Sequence, residues 1–109
     1  MTDQTRISNS GLKVLKVLKA LRGHSLIGLS NGELAAALNE SPATINRCLN
    51  TLIEAGLAMQ LDTKRFALSV GMLQIAQDHA TEMSRATNRI NELTQRVNAG
   101  AYKGLNHDN

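Results

Sequence analysis

Apolar positions recur at helical spacing in three short runs and one long one, with an alternating stretch before the last. Between Gly11 and Arg22, Leu12, Val14, Leu15, Val17, Leu18 and Leu21 form a broad apolar face, and Lys13, Lys16, Lys19 and Arg22 fall between them. Ser10 is the expected N-cap of this helix and Gly23 its stop. Leu26 to Leu29 is a candidate short strand. At Ser30 and Glu33 the S-x-x-E spacing predicts a capping box that opens a second helix, with Leu34, Ala35 and Leu38 facing inward. After Asn39, Glu40 and Ser41 a third helix is expected from Pro42 to Ala55. Ser41 caps it, Pro42 sits where its missing N–H costs nothing, and Gly56 ends it in a left-handed conformation. A helix, a three-residue turn and a longer helix make a helix-turn-helix.

The alternating stretch follows directly. Leu57, Met59 and Leu61 alternate with Ala58 and Gln60, and a second strand from Arg65 to Leu68 returns after Asp62, Thr63 and Lys64. A hairpin placed there is a wing, and its tip carries Lys64 and Arg65. The expected fold class is mainly α: a winged helix-turn-helix of three helices plus a two- or three-stranded wing, followed by a long C-terminal helix. The expected divisions are a flexible N-terminus at 1–9, the winged domain at 10–69, a long dimerising helix at 70–98 and a polar tail at 99–109.

The third helix separates into two faces. Ile45, Cys48, Leu49, Leu52 and Ala55 lie on one side; Ala43, Asn46, Arg47, Asn50 and Thr51 lie on the other. Arginine pairs with guanine O6 and N7, and asparagine with adenine N6 and N7, in the major groove of duplex DNA. Ala43, Asn46, Arg47 and Asn50 are therefore the candidate base contacts, with Arg47 the principal reader. Ser41, Thr44, Thr51, Lys64, Arg65, Lys13 and Lys16 are the candidate backbone contacts. An ordinary solvated polar face explains the same pattern on the third helix alone; the wing that follows tips the reading toward DNA.

The last run has a different period. Met72, Ala76, His79, Met83, Ala86, Ile90, Leu93 and Val97 recur at alternating spacings of 4 and 3, a heptad seam. Ala76, Met83, Ile90 and Val97 take the a positions, and Met72, His79, Ala86 and Leu93 the d positions. The expected dimer seam is Met83, Ala86, Ile90, Leu93 and Val97. Its e positions, Ala80, Thr87 and Thr94, carry no charge that would set an orientation.

Composition narrows the function without changing the fold. The 109 residues carry a net charge of +3, and the excess of lysine and arginine lies in the first 71 residues. Phe66 and Tyr102 are the only aromatic residues beyond the histidines, so the core must be aliphatic. One cysteine, Cys48, excludes an internal disulfide, and its place on the apolar face makes it a core residue. His24, His79 and His107 are scattered, no set has metal-ligand spacing, and no phosphate-binding loop or nucleophile arrangement is present. The expectation is a non-enzyme without cofactor or metal. No apolar run spans a membrane and no secretory h-region opens the chain, so a cytoplasmic protein is the expectation.

The residues also resemble a family. Leu34 and Ala35, Leu38, Thr44, Ile45, Arg47, Leu49, Thr51, Leu52, Gly56, Asp62, Phe66 and Leu68 are similar to the DNA-binding domain of the IclR transcription regulators, over about residues 9 to 76. The resemblance implies sequence-specific duplex binding as a homodimer, with Thr44 and Arg47 facing DNA. Ala43 stands where the family usually has serine, and Ser69 where a glycine usually follows the second strand. About 40 residues follow the wing, too few for the family's effector-binding domain, so no small-molecule effector domain is expected; a fragment or a minimal regulator of a mobile element fits. The expected function is a small dimeric transcription regulator, a repressor, with the helix from Pro42 to Ala55 in the major groove. The competing readings are a winged-helix protein-interaction module and a sequence-indifferent architectural DNA-binding protein.

Overall fold

The computed structural model describes residues 6–107. Its elements are α1 (Asn9–Ala20), α2 (Asn31–Leu38), α3 (Pro42–Glu54), β1 (Ala58–Gln60), β2 (Phe66–Leu68) and α4 (Val70–His107). Two compact units divide it, the first ending at Gln74 and the second beginning at Ile75.

Local chemistry fixes the ends of the first three helices. Ser8, not Ser10, caps α1: its hydroxyl accepts from the Gly11 N–H at 3.0 Å, so the helix starts two residues earlier than expected. Both are serines followed by helix-compatible residues, and sequence spacing does not choose between them. Residues 1–5 of the expected flexible N-terminus lie outside the described residues. The capping box of α2 is complete, with Glu33 N–H on the Ser30 hydroxyl at 3.1 Å and Ser30 N–H on the Glu33 carboxylate at 3.2 Å. Asn39 ends α2 in a left-handed conformation (φ 54°), and the Glu40 N–H closes back onto the Ala35 carbonyl. Gly56 does the same for α3. Its N–H reaches Ile53 O, and the Leu57 N–H reaches Leu52 O, a Schellman ending.

The core of the first unit joins Val17 and Leu21 of the α1 segment, Leu34 and Ala35 of α2, and Ile45, Cys48, Leu49 and Leu52 of α3. Ala58 and Phe66 of the wing close it. Leu21, Leu34, Ile45 and Leu49 are fully buried. Burial of such side chains contributes roughly 1.5–3 kcal/mol each and sets the helix arrangement. Among the described residues, Phe66 is the aromatic member of this core.

The wing is short. β1 and β2 pair antiparallel with Ala58 opposite Leu68, Met59 opposite Ala67 and Gln60 opposite Phe66. The expected strand at Leu26 to Leu29 reduces to one bridge. Leu29 and Phe66 exchange two backbone hydrogen bonds of 2.8 Å, giving the wing a partial third strand. Gly28 permits it: its φ is +77°, and a Cβ there would meet the Phe66 carbonyl at 2.7 Å. Met59 is exposed rather than inward, because Leu57 is taken up in the α3 ending and only three residues remain for the strand.

α4 continues through the stretch expected as a polar tail. Nothing between residues 99 and 107 forbids a helix. Gly100 and Gly104 disfavour it by about 1 kcal/mol each, without proline to break it. No helix among the described residues is long and apolar enough to cross a membrane.

Candidate nucleic-acid interface

The exposed face of α3 carries Ala43, Asn46, Arg47, Asn50 and Thr51, as the wheel requires. Ile45, Cys48, Leu49 and Leu52 on the opposite face are buried, so the rotation of the helix is fixed by its core. Asn46 and Asn50 lie one turn apart with Arg47 between them. Four amide donors and acceptors and one guanidinium thus stand on one solvent-facing strip.

The start of α3 is braced. The Ser41 hydroxyl accepts from the Thr44 N–H at 3.1 Å and donates to the Thr44 hydroxyl at 2.9 Å. Arg47 Nη2 donates to the same Thr44 oxygen at 3.5 Å. Thr44 Oγ1 therefore accepts twice and keeps its own proton to donate, which suits a phosphate oxygen. The Ser41 hydroxyl thus serves the cap in both directions. The Thr51 hydroxyl donates to the Arg47 carbonyl at 2.9 Å. Its single proton is thus engaged one turn back in the same helix.

Lys13 of α1 lies beside this face. Its ammonium is 3.6 Å from the Glu40 carboxylate in the helix-turn-helix turn, half exposed, and held near α3 by that pairing. Asn9, Ser10, Lys13 and Val14 of α1 meet Thr44, Arg47, Cys48 and Thr51 across a cleft of about 370 Å³. Lys16 borders a second, smaller cleft with Lys13, Leu38, Glu40 and Thr44. Asn9 and Ser10 were outside the expected site. No periodicity in α1 shows which of its polar residues faces α3.

Asn31 was likewise not foreseen. Its side-chain amide donates to the Pro42 carbonyl at 3.1 Å, fastening the first turn of α2 to the first turn of α3. This bond ties the starts of the two helices together.

The wing tip divides its two cations. Lys64 is exposed and sits in a left-handed conformation (φ 71°), where glycine is the usual occupant of such a hairpin turn. Its N–H closes the turn onto the Leu61 carbonyl at 2.9 Å. Arg65 points the other way. Its Nε donates to the Ile27 carbonyl at 3.1 Å and its Nη2 to the Gly28 carbonyl at 3.0 Å, and Nη2 lies 2.7 Å from the Glu33 carboxylate. Its guanidinium ties the wing to the Ile27–Gly28 loop and to α2.

Two groups have displaced pKa values. The Ser30 backbone N–H, then the Ser30 hydroxyl and Arg65, hold the Glu33 carboxyl below the ordinary glutamate value. Burial, followed by Glu40, pushes the Cys48 thiol up, against Lys13 and Arg47. Among the described residues no cluster of three or more His, Cys, Asp or Glu side chains could hold a metal.

The IclR helix-turn-helix domain matches residues 11–62. No curated protein sequence matches the chain. An IclR family transcriptional regulator from Brucella abortus is similar in structure, with a TM-score of 0.61 and 21% identity. That match covers 74% of this chain, which spans only 30% of the Brucella protein. A mutant of S. aureus MepR bound to an oligodeoxyribonucleotide has a TM-score of 0.51 at 18% identity, over 97% of this chain and 83% of that one. At these identities the structural likeness is one of fold. Residues 11–62 are thus similar to the IclR helix-turn-helix domain, and in this chain they are accompanied by a two-stranded wing and a long last helix.

Proposed function

We propose that the chain regulates transcription, as a repressor, by reading a specific duplex site as a homodimer with α3 in the major groove. The observation that carries this reading is the exposed strip of Ala43, Asn46, Arg47 and Asn50 on a helix whose other face is locked into the core. In a helix-turn-helix the first half of the second helix meets the base edges, and this strip lies there. Thr44 at the start of the helix, Lys13 and Lys16 on α1 and Lys64 at the wing supply the backbone contacts. Lys64 adds an independent argument. A lysine in a left-handed turn position costs about 1–2 kcal/mol relative to glycine, and a contact with phosphate gives a reason to keep it there. The S. aureus MepR structure puts a protein of this fold on an oligodeoxyribonucleotide.

The dimer reading rests on α4. Met83, Ile90, Leu93 and Val97 are all between 46% and 68% exposed, a row of apolar side chains on one helix face that a second copy would cover. Two recognition helices would then read two half-sites.

Selection from a random duplex library, followed by anisotropy titration over a salt series, tests the reading. Enrichment of one sequence and affinity that falls steeply with salt are expected. Binding without enrichment would identify an architectural protein. No binding at low salt would identify a protein-interaction module.

A further inference from the structure

We infer that the exposed seam of α4 pairs antiparallel with a second copy of this chain. In this pair Ala76 faces the partner's Leu93, His79 faces the partner's Ile90, and Met83 faces the partner's Ala86. The inference rests on the dimeric reading above and adds the orientation and register.

Side-chain volume gives the first argument. All six positions are exposed on one face of the helix in the second unit. A parallel pair would stack each residue on its own copy. Ala76 would meet alanine, Ala86 would meet alanine, and His79 would meet histidine, leaving two thin layers and one polar one between thick layers of Met83, Ile90 and Leu93. The interior of a helix pair fills best when large and small residues alternate across it. In the antiparallel register each alanine layer receives a large partner, Leu93 on Ala76 and Met83 on Ala86. His79 meets Ile90 instead of another imidazole. Every one of the six layers then holds at least one large apolar side chain.

Charge gives the second argument independently. The charged residues flanking the seam on the g side are Glu82, Arg89 and Arg96. In a parallel pair g faces e, so Glu82 meets Thr87 and Arg89 meets Thr94, and no ion pair forms. In an antiparallel pair g faces g. The register set by the volumes then places Glu82 beside the partner's Arg89, and by symmetry Arg89 beside the partner's Glu82. Sliding one heptad, so that Met83 faces the partner's Leu93, pairs Glu82 with the partner's Arg96 but puts Arg89 against the partner's Arg89. The register set by the volumes keeps two ion pairs without that like-charge contact and is preferred on this ground.

The two chains enter such a pair from opposite ends. Positions 76 and 93 in one chain are separated along the helix by roughly 25 Å. Like positions of the two chains are therefore far apart, except near the middle.

Cross-linking of the full chain in a Cys48→Ala background reads the orientation. Ala76→Cys and Leu93→Cys proteins are oxidised separately and as an equilibrated mixture. The expected result is a disulfide-linked dimer from the mixture and none from either protein alone, since a disulfide requires Cα atoms within about 7 Å. Covalent dimers from each protein alone would overturn the antiparallel orientation while leaving the dimer standing. Light scattering of the unaltered chain that gave a monomer mass at every concentration would overturn the dimer reading as well. A charge exchange supplies the second measurement. Glu82→Arg should weaken dimerisation several-fold, and adding Arg89→Glu should restore it. A double variant as weak as the single one would overturn the Glu82–Arg89 pairing.

Discussion

Arg65 and Glu33, 32 residues apart in the chain, meet at 2.7 Å, and the same guanidinium is bonded to the carbonyls of Ile27 and Gly28. The ion pair is solvent-exposed and by itself contributes little. The two carbonyl bonds matter more, because they hold the Leu29 segment where it can bridge to Phe66. Arg65→Ala is expected to lower stability by about 1–3 kcal/mol, the usual range for charge-assisted hydrogen bonds. Arg65→Lys, with charge but no fork, should recover only part of it. Urea unfolding of the three proteins measures this. Unchanged midpoints would return Arg65 to the list of free wing cations.

Glu33 also makes the fold acid-sensitive. Its carboxyl titrates below the ordinary glutamate value in the folded chain, held there chiefly by the Ser30 backbone N–H. A group with a lowered folded pKa stabilises the fold above the ordinary value, about 4.3, and loses that contribution as pH falls through the depressed one. Glutamine preserves the capping box but does not titrate. Glu33→Gln should therefore be less stable than the parent at pH 7 and should lose less stability on acidification below pH 4, measured by thermal unfolding at both pH values.

Lys64 separates stability from binding. Glycine at position 64 relieves the left-handed strain, so Lys64→Gly should stabilise the fold by up to about 1 kcal/mol. The same change should weaken every duplex alike and lower the salt slope by about 1. A variant that is both more stable and equally tight on DNA would show that the tip does not touch the backbone.

Arg47 should behave in the opposite way. Arg47→Ala is expected to lose about 1–3 kcal/mol at its cognate base pair and to relax discrimination there, with random duplexes affected much less. Library selection with the variant reads this directly. An unchanged preferred sequence would remove Arg47 as the base reader.

Cys48 should be unreactive. It is buried and its thiol is pushed up by desolvation, so little thiolate is present at neutral pH. Labelling by iodoacetamide is expected to be slow in the native protein and fast in denaturant. Rapid native labelling would show that the α1–α3 cleft opens.

What could be read from the residues was local. Ser30 with Glu33, Ser41 with Pro42, and Gly56 each fix a helix end through partners no more than five residues away. The two faces of α3 follow from 3.6-residue periodicity alone. The intramolecular partners of Arg65 are not legible in the sequence, because they lie 32 to 38 residues back and nothing in the Lys64-Arg65 pair says which cation turns inward. The partners of the Ser41 and Thr51 hydroxyls are not legible either, because a helical wheel shows exposure but not where a hydroxyl proton is directed. Asn31 escaped notice for a similar reason, since its bond to Pro42 crosses between helices. The extent of α4 is not legible because the polar composition after residue 98 suggests a tail, while a helix tolerates its two glycines at modest cost.

Gly71 now stands out. Ser69 donates its hydroxyl to the Gly56 carbonyl, and any Cβ at 71 would collide with that same carbonyl. One oxygen at the end of α3 is thus a bearing on which the first turn of α4 rests. The two glycines form a joint with no room for a washer. Among descendants of this sequence, position 71 should be frozen as glycine, while position 100, with nothing within 4 Å of its Cβ, is free to drift.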